Sequence, residues 1–315
     1  MKKITFDSFL SGAMARDYIL DDTPYVEQIE KAKDILNASK HVLIGAGAGM
    51  SAAAGAIYGG EWFKENFSEF REKYGEDNPF MQDMYSAGFY PYPDEESYWG
   101  YWSKQCILAG IDADHTTLHK VLLDMISSKD IFVLSTNADA QFTKAGLDND
   151  RIFCTQGDYF HIQCAKGCHD KVYDAVELFR KMDEARTDCK VPTNLVPRCP
   201  VCKGRMNMDL RIDRYFVQDE SWYQAEKRFG DFLTDALKSG ERVCLLELGV
   251  GFNTPTIIRF PFEKLVRENE SCRLIRLNIN EAVIPESISD RAVGINADIG
   301  KTIWDIANRE GGVNG

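Results

Sequence analysis

The sequence is short of basic charge: 37 Lys and Arg stand against 49 Asp and Glu, for a net charge of −12. A protein that tracks a phosphate backbone needs a cationic footprint, so a general nucleic-acid binder is excluded. Long apolar runs are also missing; no stretch approaches the ~18 apolar residues of a membrane span. The opening MKKITFDSFL has two lysines but no apolar h-region behind them, so no secretory signal is expected. Without export, a cytoplasmic location is expected, and the nine cysteines should stay reduced. Clustered cysteines then suggest metal before disulfides. Internal repeats and low-complexity segments are absent too. What is left is an ordinary globular chain of 315 residues, 44% apolar and 27% charged. That is enough for one large core with a small satellite, or two modest domains.

Residues 24–39 place Val26, Ile29, Ala32, Ile35 and Leu36 on one face at helical spacing. An apolar run from His41 to Ile44 follows, then Gly45-Ala-Gly47-Ala48-Gly49-Met-Ser51 and an alanine-rich start to a helix. Strand, glycine turn, helix is a phosphate-cradle arrangement. Further on, strands are expected at 131–134, 152–154, 243–248 and 274–277, with helices at 118–126, 221–237 and 256–268. Buried apolar strands alternating with helices predict an α/β protein with a doubly wound, Rossmann-like parallel sheet. Two segments interrupt it. Residues 58–112 are rich in aromatics and predict a helical insert, its rings either a small core or a lid over a ligand. Residues 160–206 hold most of the cysteines and little apolar periodicity. The expected division is therefore a nucleotide-binding domain from 1–57, 113–159 and 207–315, the insert 58–112, and a metal-binding ribbon 160–206.

The glycine turn alone is weak evidence. Its spacing misses GxGxxG, and no strand ending in an acidic residue follows about 20 positions on, which disfavours a hydride-transferring dehydrogenase. The other strand ends are more telling. They carry Asn137 and Asp139, Gln156 and Gly157, Gly249 to Asn253, and Asn278 with Asn280. Each could be only a turn signal. In an open parallel sheet, however, ligands bind beyond the carboxyl ends of the strands, so four such ends converge on one crevice.

Cys164-x3-Cys168 and Cys199-x2-Cys202 are paired thiols on short turns, in a segment with little core of its own, and suit a tetrahedral structural zinc. His161, His169 and Cys189 are close enough in sequence to substitute. His115-x3-His119 has metal-like spacing on a helix, but without a third ligand the structural reading is preferred.

Taken in order, these pieces resemble the sirtuin family. Gly47-Ala-Gly49-Met-Ser51 is similar to its opening GAG-x-S loop, and Ser135-Thr-Asn137-Ala-Asp139 to its TQN-x-D motif. Ile152 to Gly157 resembles the segment ending in a catalytic His-Gly, Gly249-Val-Gly251-Phe252 the GTS loop, and Leu277-Asn278 the late adenosine-ribose asparagine. The resemblance spans roughly residues 41–300 and includes the paired cysteines. Two departures stand out. Gln156 occupies the histidine position, and Ala56-Ile57-Tyr58-Gly-Gly replaces a PDFR-like stretch. Both resemble the macrodomain-linked microbial branch, whose members are protein ADP-ribosyltransferases acting on a lipoyl-carrier protein related to the H protein of glycine cleavage. The resemblance implies NAD as co-substrate and Asn137, Asp139 and Gln156 as the catalytic-pocket residues. It also implies cofactor contacts from Gly47, Ala48, Gly49, Ser51, Ile57, Tyr58, Gly249, Gly251, Phe252, Asn278, Asn280, Ala297 and Ile299. A macrodomain protein that reverses the modification is an implied second partner.

The chemistry agrees. Breaking a nicotinamide–ribose bond passes through an oxocarbenium-like state, which Asp139 can face with negative charge while Asn137 holds the carboxamide. Deacylation needs, in addition, a base that takes a ribose hydroxyl proton. Histidine can do this near neutrality; glutamine can orient a hydroxyl but not accept its proton. A transferase is therefore expected, with a deacylase using a displaced base, or a non-catalytic NAD sensor, as the alternatives.

Overall fold

A computed structural model describes residues 3–308; the outermost parts of the expected nucleotide-binding domain, 1–2 and 309–315, lie outside the described residues. The described chain has eleven strands: β1 (Tyr18–Ile19), β2 (His41–Ala46), β3 (Asp130–Ser135), β4 (Ile152–Cys154), β5 (Gly157–Cys164), β6 (Val172–Asp174), β7 (Met206–Leu210), β8 (Val243–Leu248), β9 (Cys272–Asn278), β10 (Ile284–Pro285) and β11 (Ala292–Asn296). Six of them form one sheet in the order β11-β9-β8-β2-β3-β4, with every neighbouring pair parallel. β2 and β8 lie in the middle and are buried along their whole length, which is why HVLIGA and VCLLEL read as mostly apolar runs without alternation.

Helices cover both faces, as a doubly wound sheet requires. One face carries helices Tyr25–Ala38, Thr116–Met125 and Ile299–Ile306 over Val42, Ile44, Val133, Leu246 and Ile275. The other carries Glu220–Lys238 and Arg259–Glu268 over Leu43, Phe132, Leu245 and Leu274. The long helix Glu220–Lys238 starts where Asp219 caps it, its carboxylate accepting the Trp222 N–H at 2.9 Å. Two expectations shift. Val26 is 70% exposed rather than core-facing, because Ile29, Ala32, Ile35 and Leu36 already fill the stripe beneath Tyr25–Ala38. The helix expected from 256 begins only at Arg259; residues 252–258 stay in turns and a bend.

The segment 58–112 is helical: Gly60–Asn66, Ser68–Tyr74, Met84–Gly88 and Glu95–Cys106, the last running on into a π-helical turn at Ile107–Ile111. Its rings build a core. Phe63, Phe67, Phe70 and Trp99 are fully buried, and the same cluster takes in Phe179, Met182, Cys164, Cys199 and Met206 of the cysteine-rich segment. That segment is a three-stranded antiparallel sheet, β6-β5-β7, with helix Val176–Ala185 beside it. β5 starts directly after β4, so its sheet is anchored to the edge of the large one.

Candidate active site

β2 delivers its chain into Gly47, Ala48 and Gly49, where helix Ala48–Ala53 begins. β8 delivers its chain into Gly249, whose φ of +62° favours glycine. These two loops touch backbone to backbone. A Cβ on Gly49 would lie 2.7 Å from Gly249 Cα, and one on Gly47 would lie 2.7 Å from Gly249 O. Gly49 N–H donates to Gly249 O at 3.1 Å. Side chains are thus excluded from the floor of the crevice, leaving bare backbone and small polar groups. Such a glycine floor is what close approach of a dinucleotide needs, so the residues present fit NAD.

The polar centre is a three-residue knot. Asn137 Nδ2 donates to Gly47 O at 2.9 Å and to Ser51 Oγ at 3.0 Å, and Ser51 Oγ donates to Asp139 at 2.5 Å. Ser51 is fully buried and Asp139 nearly so. The serine therefore joins the glycine turn after β2 to the Asn/Asp loop after β3. Asp139 also accepts the Gln141 N–H at 3.3 Å. Gln141 and Lys144 in turn bind the carbonyls of 110–113, tying this loop to the end of the insert.

Tyr58 brings the insert to the same place. Burial, with Asp139 as the adjacent negative charge, pushes its phenol up to about 12. Tyr159 is raised for the same first reason, burial, with Tyr58 next to it; its hydroxyl lies 3.5 Å from Gln105 Nε2. Neither phenol is a base near neutrality. His119 is in the core, its Nδ1 against His115 O at 3.0 Å and its ring edge-on to Phe142, and burial lowers its pKa. The His115-x3-His119 spacing therefore belongs to packing.

Gln156 sits at the end of β4 and is partly exposed. Among the described residues its side chain makes one hydrogen bond, Nε2 to Thr155 Oγ1 at 3.3 Å. Its backbone is held by Arg211, whose N–H donates to Gln156 O at 3.0 Å and whose Nε donates to Thr155 O. The neighbouring Cys154 thiol is pushed up to about 12 by burial and then by the charges of Asp158 and Asp139, so it is no nucleophile.

At the far end of the crevice Asn278 Nδ2 donates to Val250 O at 3.0 Å, steadying the loop that carries Gly251 and Phe252. Asn280 is exposed with a φ of +68°, and Ala297 is partly buried. Two residues named from the sequence stand apart. The side chain of Ile57 is 51% exposed, while Ile299 is 3% exposed and packed in the core. Spacing gave no signal for Tyr159, Gln105, Arg211 or Glu281, which meet Tyr58, Tyr159, Gln156 and Phe252 respectively through tertiary packing.

In the small sheet, Cys164 and Cys202 Sγ are 3.7 Å apart and Cys168 and Cys199 Sγ 3.6 Å. Four thiolates at ~2.3 Å from one tetrahedral ion would be separated by roughly 3.8 Å, so the donor set fits zinc. Desolvation opposes the Cys199 thiolate, but backbone N–H groups from Cys202 and Val201 outweigh it and bring the thiol down to about 6. His169 is a fifth donor: Nδ1 is 3.1 Å from Cys168 Sγ, and the ligand atoms of Cys164, Cys168, His169 and Cys199 all lie within 4.8 Å of one another. Two residues close in sequence do not join. His161 pairs with Asp158 at 2.8 Å, and Cys189 is buried against the insert.

No family model matches the chain. It is 32% identical over 278 residues to a protein ADP-ribosyltransferase of Staphylococcus aureus, covering 88% of this chain and 86% of that one. It is 30% identical over 297 residues to a probable bifunctional ADP-ribose hydrolase/ADP-ribosyltransferase of Fusarium oxysporum, covering 90% of this chain but only 48% of the fungal protein, about half its length. Among solved structures, a Sir2Tm structure bound to a propionylated peptide is similar at a TM-score of 0.52 and 17% identity, over 89% of this chain and 97% of that one. A Sir2 structure with a p53 peptide and NAD+ is similar at 0.51 and 17% identity, over 89% and 97%. These structures share the fold, and with the bacterial relative they show that the chain belongs to the sirtuin family.

Proposed function

We propose that the protein is an NAD-dependent protein ADP-ribosyltransferase whose acceptor is a lipoyl-carrier protein related to the H protein of glycine cleavage. One observation carries the choice of transferase: an amide, Gln156, stands where deacylation requires a base, and the phenols nearest to Asp139 are held neutral. The bacterial relative's name supports the activity. NAD supplies the ADP-ribosyl group. Asn137 is placed to hold the leaving carboxamide, its own orientation fixed by Gly47 O and Ser51. Asp139, held by the Ser51 hydroxyl, presents negative charge where positive charge grows on the ribose. Gln156 orients a hydroxyl or the incoming acceptor without taking its proton.

We further infer that the thiol cluster holds a structural zinc through Cys164, Cys168, Cys199 and Cys202, with His169 beside it. The fungal relative joins a hydrolase name to a transferase name, which supports a macrodomain protein as the partner that removes the modification. The test is intact-mass analysis of a lipoyl-carrier protein incubated with enzyme and NAD, run beside acyl-lysine peptide turnover across about pH 6 to 9. A mass gain of ADP-ribose on the carrier with little deacylation is expected. Robust deacylation with no gain on any carrier would promote the deacylase, and absence of nicotinamide release with bound NAD would favour a sensor.

A further inference from the structure

The insert 58–112 is fastened to the Asn137–Asp139 loop at both of its ends. At its start, Tyr58 lies beside Asp139. At its exit, helix Glu95–Cys106 runs on into the π-helical turn Ile107–Ile111. A helix end leaves its final carbonyls without intrahelical donors, and a cation is favoured there. Lys144 is that cation. Its ammonium donates to the carbonyls of Gly110, Ile111 (3.3 Å) and Ala113 (2.6 Å), which uses all of its N–H groups.

Lys144 ends the short helix Gln141–Lys144, which follows Asp139 across a left-handed residue, Ala140, with a φ of +54°. That helix has a second anchor. Gln141 is 1% exposed, accepts the His115 N–H at 2.9 Å and donates to the Ala113 and Asp139 carbonyls, both at 3.3 Å. Gly110 completes the circuit: a Cβ on it would stand 2.7 Å from Tyr159 Cβ, and the Tyr159 N–H donates to the Ala138 carbonyl at 3.0 Å. The exit turn therefore reaches both flanks of Asp139, residue 138 through Tyr159 and residues 141–144 directly.

The two anchors are not equivalent. Gln141 is enclosed, whereas Lys144 is only partly buried; burial lowers its pKa, and the charge of Asp139 opposes that most, ahead of Asp114 and Asp112. Without the lysine, water can reach the carbonyls it leaves, so the fold should survive. Water cannot fix the separation between the turn and the helix after Asp139, and it brings no positive charge near that carboxylate. A charge that faces a developing cation works only from its set position, and a misplacement of about 1 Å can cost on the order of 100-fold in rate. We propose that Lys144 is a positioning residue for cleavage of the nicotinamide–ribose bond, locking the exit of the insert to the helix after Asp139 and so fixing where that carboxylate stands. The inference rests on the NAD-cleaving reading above and adds the link through which the insert governs the reaction loop.

Steady-state nicotinamide release from NAD by the full chain tests it, with circular dichroism and a thermal melt on each variant. Lys144→Met keeps the length of the side chain and loses its bonds and charge. Its kcat should fall by roughly ten- to hundredfold with KM for NAD within about twofold, because the glycine floor is untouched. Lys144→Arg keeps charge and donors and should recover most of the rate. A merely structural lysine would lower the melting temperature and leave kcat per folded molecule unchanged. Should Lys144→Met not fold, Gly110→Ala takes its place: the added methyl pushes the turn off Tyr159 with the lysine intact, and the same loss of kcat is expected. A wild-type kcat in the folded variant, or a loss lying wholly in KM, overturns the assignment and leaves the enzyme reading standing. A wild type that releases no nicotinamide overturns both.

Discussion

At the scale of single residues, Asn137 and Gln156 differ in what their amides hold. Among the described residues Gln156 makes one side-chain hydrogen bond, to Thr155, whereas Asn137 bonds both Gly47 O and Ser51 Oγ. Gln156→Ala should therefore remove one orienting contact to the transition state, on the order of 2 to 4 kcal/mol or roughly 30- to 1000-fold in rate. Asn137→Ala should be at least as damaging, because it also releases the serine that anchors Asp139. Nicotinamide release by both variants checks the order, and an Asn137→Ala enzyme clearly faster than Gln156→Ala would contradict it. Gln156→His restores a titrating group, yet little deacylation is expected from it. Tyr58 stands in the segment that replaces the PDFR-like stretch, close to Ser51 and Asp139. The position of Asn137 and Asp139 just beyond a strand end was legible in the sequence, because they directly follow an apolar run. Their bridge through Ser51 was not, since the two loops are 86 residues apart in the chain.

Individual elements carry charges that a period-of-two reading of strands does not foresee. On β7, Asp209 is 7% exposed, with one carboxylate oxygen that has no hydrogen-bond partner among the described residues. Burial, and then the charge of Asp158 across the sheet, raises its pKa to about 7. An unfolded aspartate titrates near 3.9, so between roughly pH 4 and 7 the folded protein holds a proton that the unfolded chain has lost. Stability contributed by this group is full below that window and falls as pH rises through it. Asp209→Asn should accordingly change little at about pH 4 and stabilise by on the order of 2 to 4 kcal/mol at about pH 8. Denaturant melts at the two pH values check this; equal effects at both would refute it. The pair Glu247 on β8 and Arg276 on β9 teaches the same lesson. Within VCLLEL and CRLIRLN each looks like an interruption, and only strand pairing, which sets Glu247 opposite Arg276, turns them into one buried bridge.

Over the whole molecule, the insert and the cysteine-rich sheet behave as one body, because Trp99, Phe179, Cys164 and Cys199 share a core cluster. The thiol cluster is therefore expected to support more than its own turns. Stripping the proposed zinc with a chelator should loosen the insert as well, seen as faster hydrogen exchange across 95–106, while β2 and β8 stay protected. Uniform protection after verified metal loss would show that the apolar cluster suffices. Tyr58 belongs to this insert and reaches Asp139, so the same treatment should lower nicotinamide release without unfolding the large sheet. Among the described residues, no helix is long and apolar enough to cross a membrane.

The sequence by itself determined the alternation of strand and helix, the parallel sheet, the glycine turn and the paired thiols. These signals are local: apolar runs, turn residues and short spacings act over a few neighbours and survive without knowledge of the rest of the chain. Tertiary structure alone decided which side chains of distant segments meet. Tyr159 and Gln105 meet only because β5 packs on the end of the insert. Glu281 meets Arg259 and Phe252 through contacts that span two loops and a helix. Hydrogen bonds and ion pairs of this kind depend on where distant segments are held to within an ångström, and that is a property of the packed sheet rather than of any stretch of residues.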